Sequence, residues 1–516
     1  MSTLDESTQG TQMGMLKPLN LLCLELPDSD FARFLDQIDG FISRYPEILP
    51  AIDEDLDAHG REKKKWRLLD KRWEQRGHCV KIEGAEHWPE IDPEDLELKQ
   101  GRPRMPAAVV FMFMMIRAYA GGAASQEFQD LTGESITVYM LLRHHDMSMP
   151  GVSTINENLN AVSNKTRRMI HRKQIQYARA EDLDDFAEMT IDSTAVRANS
   201  AWPTDSLIIL KLIARIWRIG SALEDYDVEN FQYHGTKQWL KKMTRENLGI
   251  VMAEGKGERK KHYRQFLDAA GKAVEHLEAQ RQAMEERVEP RSIKPSRRRQ
   301  LRRDRNQLQR DLEDAQKMIE VAERRVVEGQ QTPTTERVLS ISAPDAGFIT
   351  KGDRDPVIGQ RPQVCKSGNG FVGYLAVPMG NAADSGMLIP ALRGWMRTTF
   401  VIPELLSGDD GYTSEENLRK AKELGVEKVS FSGSKGKRLH GHWDWWDEDR
   451  MRARDERSAV ESLIFTLKDN HDFGQLSRRG MEAVRAELLE DALAHNFCRM
   501  VQLQAQQEPQ PIPKAA

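Results

Sequence analysis

Apolar residues recur at helical spacing along most of this chain, and strand-like alternation is confined to short stretches. Residues 19–97 read as polar helix. Pro106 suits the first turn of an apolar helix that runs to Tyr119 and stops at Gly121 and Gly122. A short helix is expected from Ser125 and another over 136–143. Ser153 is a good N-cap for one long helix reaching Arg179. Residues 188–196 (EMTIDSTAV) alternate and are rich in β-branched side chains, which predicts a strand with Asp192 at its middle. Helical periodicity returns over 207–219, 265–288 and 297–327, with a break at Glu289 and Pro290. In the last of these, Leu301, Leu308, Leu312, Ala315, Ile319 and Ala322 keep the spacing of a helical hairpin or coiled coil.

Strands are expected at 337–342, 361–366 and 371–378, the last two joined by Ser367-Gly368-Asn369-Gly370. Gly and Asn tolerate positive φ, so this is a hairpin turn. A helix over 383–396, a strand ending near Asp409, a helix over 414–424 and a strand over 428–432 follow. A basic loop, 432–442 (SGSKGKRLHGH), leads to the aromatic segment 443–449 (WDWWDED). The helix 455–468 then places Val460, Leu463, Ile464 and Leu467 on one apolar face, with Glu461 beside it. Residues 469–500 read mostly as helix.

Composition narrows the class. The formal net charge of -5 argues against a uniformly basic nucleic-acid binder, but the basic residues are clustered. The twelve residues KPSRRRQLRRDR (294–305) carry seven of them, enough for a phosphate contact, although such runs are also ordinary solvated faces. Arg167, Arg168, Arg172 and Lys173 give the 153–179 helix a basic face, which fits either a helix-turn-helix reader or a plain helical bundle. The four cysteines, Cys23, Cys79, Cys365 and Cys498, are far apart and show no zinc spacing, which suits a reducing cytoplasm. The apolar run 105–116 is too short to cross a bilayer, and the N-terminus has no signal-peptide pattern.

Three acidic residues carry the chemistry. Arg457, Glu461 and Lys468 recur on one side of the last core helix, as either a surface salt bridge or a functional cluster. An aspartate in mid-strand is costly unless it has a partner or a task, and Asp192 is one. With the helical insertion set aside, the order is strand with Asp192, two hairpin strands, helix, strand ending at Asp409, helix, strand, helix with Glu461. That is the order of a ribonuclease H-like sheet, and it gathers Asp192, Asp409 and Glu461 at one end. Carboxylate oxygens are natural Mg²⁺ ligands, and paired ions assist in-line displacement at phosphorus.

Over about residues 98–475 the chain resembles the bacterial insertion-sequence DDE transposases. The resemblance rests on TIDSTAV around Asp192, on Asp409-Asp410-Gly411-Tyr412 for D-x-G-Y, and on Arg457-x3-Glu461-x6-Lys468 for the Y-x2-R-x3-E-x6-K signature; GRPRMP through VSTINENL also looks like the family's helical N-terminal domain. Arg454 stands where the signature has tyrosine. The resemblance implies an α/β fold: a ribonuclease H-like mixed sheet with a helical N-terminal domain and a long helical insertion. The expected layout is 1–18 disordered, 19–97 helical, 98–180 DNA-binding, 185–202 and 356–475 core, 203–355 insertion, 476–502 helix and 503–516 flexible tail. It also implies that Asp192, Asp409 and Glu461 bind two Mg²⁺ ions, replaceable by Mn²⁺. Asp410 is the rival to Asp409, which sits two residues before the glycine as the family spacing requires. Arg457 and Lys468, with Arg454, Lys435, Lys437 and Arg438 as further candidates, would contact DNA phosphates. Trp443, Trp445 and Trp446 would either stack on an extruded base or, the favoured role, pack in the core or an interface. The partners implied are double-stranded DNA, as terminal repeats and target, and a second copy of the chain; no membrane is implied, and the compartment is cytoplasmic. A same-fold nuclease that cuts without joining, and a DNA-binding derivative without catalysis, are the alternatives.

Overall fold

The computed structural model describes residues 30–76, 80–82, 85–87, 91, 93–97, 104–122, 128–129, 132, 136–200, 204–224, 235–285, 294–333, 336–350, 355–455 and 457–507. The expected disordered start, the break at 289–290 and most of the helix from Ser125 fall outside them, as does the tail beyond Gln507. The fold is α/β and mostly helical, with a mixed parallel and antiparallel sheet. In chain order the helices are α1 (Asp30–Arg44), α2 (Ile48–Arg76), α3 (Ala107–Tyr119), α4 (Ile136–His144), α5 (Val152–Ala161), α6 (Asn164–Ala180), α7 (Asp205–Glu224), α8 (Thr236–Met252), α9 (Lys256–Glu285), α10 (Pro295–Ala322), α11 (Asp384–Thr399), α12 (Glu415–Glu423), α13 (Gly433–Trp445), α14 (Glu448–Asp455), α15 (Ser458–Asn470) and α16 (Met481–Gln507). The strands are β1 (Val80–Ile82), β2 (Ala85–His87), β3 (Glu188–Ser193), β4 (Val196–Arg197), β5 (Gly347–Ile349), β6 (Val357–Gln360), β7 (Gln363–Ser367), β8 (Val372–Ala376), β9 (Leu405–Gly408) and β10 (Lys428–Phe431). They divide into two compact units, Met1–Ala58 with Arg102–Asn199 and Asp345–Ala516, and His59–Gly101 with Ser200–Pro344.

The first unit holds a five-stranded sheet in the order β10-β9-β3-β7-β8. β3, β7 and β8 are antiparallel neighbours, and β9 and β10 run parallel to β3. Strand alternation gives the sheet two buried faces. Met189, Ile191 and Cys365 share one core with Leu388, Leu392 and Trp395 of α11 and Ile175 of α6. Val364 and Val372 share the other with Val460, Leu463, Ile464 and Leu467, the apolar face of α15. A smaller antiparallel sheet, β4-β6-β5, lies in the same unit. Glu490 of α16, 2% exposed, is held by Arg117 of α3 at 2.9 Å, Arg167 of α6 at 2.6 Å, and Arg478. Three cations on one carboxylate tie two helices to a third where water is excluded.

The second unit is a helical assembly in which α7 packs on α10 and α8 on α9. Leu301, Leu308, Leu312, Ala315, Met318 and Ala322 form the inner face of α10. Asp311 is fully buried there and takes a bidentate contact from Arg215 of α7. β1 and β2 form a two-stranded ladder within a stretch whose polarity reads as helix.

Several sequence expectations change. The single helix over 153–179 is two: Val162 is extended, and Ser163, not Ser153, is the N-cap, accepting from the Thr166 amide at 3.2 Å. No strand forms at 337–342; the Ser340 hydroxyl accepts from the Ala343 amide at 3.0 Å and turns the chain, while Arg337 pairs with Asp205. The basic loop at 432–442 is helix α13, kinked at Gly441. Residues 503–507 of the expected tail belong to α16.

Candidate functional site

Asp192 is the fifth residue of β3, 3% exposed, and its Oδ1 accepts from the Ser193 amide at 2.7 Å. It pairs directly with Val364, so both side chains point to the face covered by α15. Ile191 and Gly408 are register partners on the parallel strands β3 and β9, so the next step along the pair brings Asp192 beside Asp409. Neighbouring strands lie about 4.8 Å apart. Asp409 continues β9 in extended conformation, and its Oδ1 accepts from the Gly411 amide at 2.8 Å.

Asp410 has a different task. Its carboxylate accepts from the amides of Lys435 and Gly436, both at 3.0 Å, and closes the N-terminus of α13. Burial opposes its ionisation, but the Gly436 and Lys435 amides outweigh this and hold its carboxyl below the usual range. Gly433 is at φ +90, and a Cβ there would press into that carboxylate.

Glu461 lies in the first turn of α15 with its side chain 58% exposed, 3.2 Å from Arg457. This is the local salt bridge that the spacing allowed. Lys468, two turns on, donates to the Ala195 carbonyl at 3.2 Å, three residues past Asp192. The structure therefore brings Asp192 and Asp409 together and sets Glu461 on the helix over their face, engaged with Arg457. Among the described residues, no three His, Cys, Asp or Glu side chains are grouped so as to hold a metal ion.

The basic candidates separate. Lys435, Lys437 and Arg438 are exposed on α13, and the charged ends of Lys437 and Arg438 meet no partner among the described residues. Arg454 instead lies over the Trp445 ring, 3.9 Å from its centroid, and donates to the Trp445 carbonyl, so it faces its own helix pair. Arg167 is buried on Glu490, and Lys173 pairs with Glu47 at 2.9 Å, which withdraws both from the basic face expected of that helix. Of the favoured role for the tryptophans, packing in the core or an interface, the core half does not hold for two of them: Trp443 is 88% exposed and Trp446 53%.

Three further residues, Arg361, Gln363 and Asp384, line the same end of the sheet and were not picked out from the sequence, beside Tyr412 of the D-x-G-Y motif. Arg361 donates to the Ser193 hydroxyl at 3.0 Å, to Asn381 at 3.3 Å and to Asp384. Tyr412 is fully buried and donates to Gln363. Burial first, then Asp384, Asp192 and Asp409, push the Tyr412 hydroxyl well above its ordinary range. A Cβ on Gly411 would stand 2.9 Å from Asp409 Oδ1 and 3.0 Å from Asp384 Oδ2, so the two carboxylates flank one glycine. In the sequence Asp384 reads only as an acidic residue in the first turn of a helix. The partner that marks it, Arg361, is reached through space.

No family model, curated protein or solved structure matches this chain.

Proposed function

We propose that this chain is a DDE transposase, and that its five-stranded sheet is a ribonuclease H-like core. One observation carries the reading: Asp192 and Asp409 stand side by side at the ends of two parallel strands, under the helix that bears Glu461 and Lys468. The strand order β10-β9-β3-β7-β8, with the hairpin strands antiparallel and the later strands parallel to β3, supports it.

The donors at the strand ends are all carboxylate oxygens, the set that Mg²⁺ or Mn²⁺ takes. Asp192 and Asp409 would hold such ions, and Glu461 would join them by exchanging Arg457. Bound there, the ions would lower the charge barrier to displacement at a DNA phosphate. The chain's own residues do the positioning. The β3 ladder and the Ser193 amide orient Asp192, and the Gly411 amide orients Asp409. Arg457, once released, and Lys468 provide fork and point donors for phosphate oxygens beside the strand ends. Lys437 and Arg438 extend that positive surface along α13, and exposed Trp443 offers a ring to an unstacked base. Two transposon ends must be paired for joining, so the acting form is a dimer on double-stranded DNA.

The test uses a plasmid carrying the DNA ends of the element that encodes the chain, with Mg²⁺. Wild type should release the ends and form strand-transfer products, whereas E461Q should do neither yet still retard the end DNA in a gel. Cutting without joining would mark a nuclease. End binding by wild type without release would leave only a DNA-binding role, and release by E461Q at the wild-type rate would remove Glu461 from the site.

A further inference from the structure

A second site lies at the β8 edge of the sheet. α6, β8, α11 and the start of α16 enclose a groove of about 580 Å³ in the first unit. Arg168 and Arg172, one turn apart on α6, line one wall, and Arg397 in the last turn of α11 lines another. No carboxylate lies among the lining residues. Arg485 also reaches in, but it is anchored: it donates to the Val377 carbonyl at 3.3 Å and pairs with Glu482 at 2.9 Å. Glu482 further accepts from Asn164 at 2.7 Å, so the nearest acidic group is already engaged.

Arg168, Arg172 and Arg397 form no ion pair among the described residues, although the chain pairs many other surface arginines. Three like charges converging on one hollow repel each other, and the contact that holds one of them is weak: Arg172 Nε donates to the Arg168 carbonyl at 3.4 Å. The floor is built as well. Tyr374 of β8 lies against Gly394 of α11, where any Cβ would strike its ring. Met387 and Pro390 add an apolar wall.

We infer that this groove is a phosphate-binding site, with Arg168, Arg172 and Arg397 as the anion donors and the Tyr374 side as a surface for the attached sugar or base. Guanidinium forks match phosphate oxygens in geometry, and convergent unpaired arginines beside an apolar wall suit a phosphate ester more than a bare anion. The phosphate belongs either to a nucleic-acid backbone or to a free nucleotide. Neither source requires that the chain cut DNA, so the inference stands apart from the carboxylates of β3 and β9.

The test is fluorescence anisotropy on the full chain in EDTA, with a labelled duplex of arbitrary sequence and, separately, a labelled ATP. R168A/R172A/R397A should weaken at least one of them. For the duplex, each lost phosphate contact removes about 0.9 from the slope of log K against log salt, so the triple variant should lose about 2 to 3. R168K/R172K/R397K should restore most of the slope. All three side chains are at the surface, so an unchanged thermal midpoint shows that the fold is intact. Loss for the duplex identifies a backbone site, and loss for ATP alone a nucleotide site. Binding of both probes unaffected by the alanine variant, or no binding by wild type, overturns the inference.

Discussion

At the scale of single residues, charge placement separates structural from chemical roles. Glu490 neutralises Arg167, Arg117 and Arg478 in a region that excludes water. E490A would leave buried guanidinium groups without a counter-charge, at a cost of about 3–5 kcal/mol, and a urea titration should show a correspondingly lower midpoint. A stability loss under about 1 kcal/mol would mean that water reaches the cluster. Asp409 and Asp410 are neighbours with different tasks, one at the end of β9 beside Asp192, the other closing α13. Family spacing favoured Asp409 from the sequence; the capping bonds that occupy Asp410 come from residues 25 and 26 positions away, which no local pattern displays.

At the scale of elements, what was legible is what depends on near neighbours. The apolar face of α15 and the turn at 367–370 follow from local spacing and from glycine, and Gly370 is at φ +89. α13 was hidden because Gly433, Gly436 and Gly441 read as loop. Gly436 is needed where the helix presses on the Phe431 carbonyl, and Gly433 where it meets Asp410. The split of α5 from α6 was hidden because polar and apolar positions continue through Val162. Arg361 and Asp384 were hidden because their contact joins two elements 23 positions apart.

The β7–β8 hairpin makes a pH prediction. His171 of α6 bonds the Val372 carbonyl at 2.8 Å, and His495 of α16 bonds the Gly370 carbonyl at 3.1 Å. Burial, the largest cause in both, pushes each imidazole down to about 4. The folded value lies below the unfolded value of about 6.5, so the neutral form is the one the fold favours. This stabilisation is complete above pH 6.5 and is lost as pH falls toward 4, at a cost of a few kcal/mol for the pair. Asp491 acts in the opposite sense: burial, then Glu487 and Glu490, raise its carboxyl, so acid relieves part of its cost. Urea midpoints should fall from pH 7 to pH 4, and the fall should be shallower in H171Q/H495Q. An equal slope in the double variant would contradict the assignment to these two side chains.

At the scale of the whole molecule, the chain is two units, one built on a two-faced sheet and the other on helices. No helix among the described residues is long and apolar enough to cross a membrane. The sheet unit holds both proposed sites: the carboxylates at the ends of β3 and β9, and the arginine groove beside β8. β8 is two strands from β3, about 10 Å, and runs in the same direction.

Asp192 and Asp409 are proposed to form one divalent-ion site for DNA cleavage. The most direct measurement compares Mg²⁺-dependent release of the element's ends by wild type, D409N and D410N under conditions where all three are folded. D409N should give no release and D410N near-normal release, because an amide oxygen at position 410 still accepts from Lys435 and Gly436 and Asn caps a helix about as well as Asp. Release by D409N at the wild-type rate would contradict the proposed site.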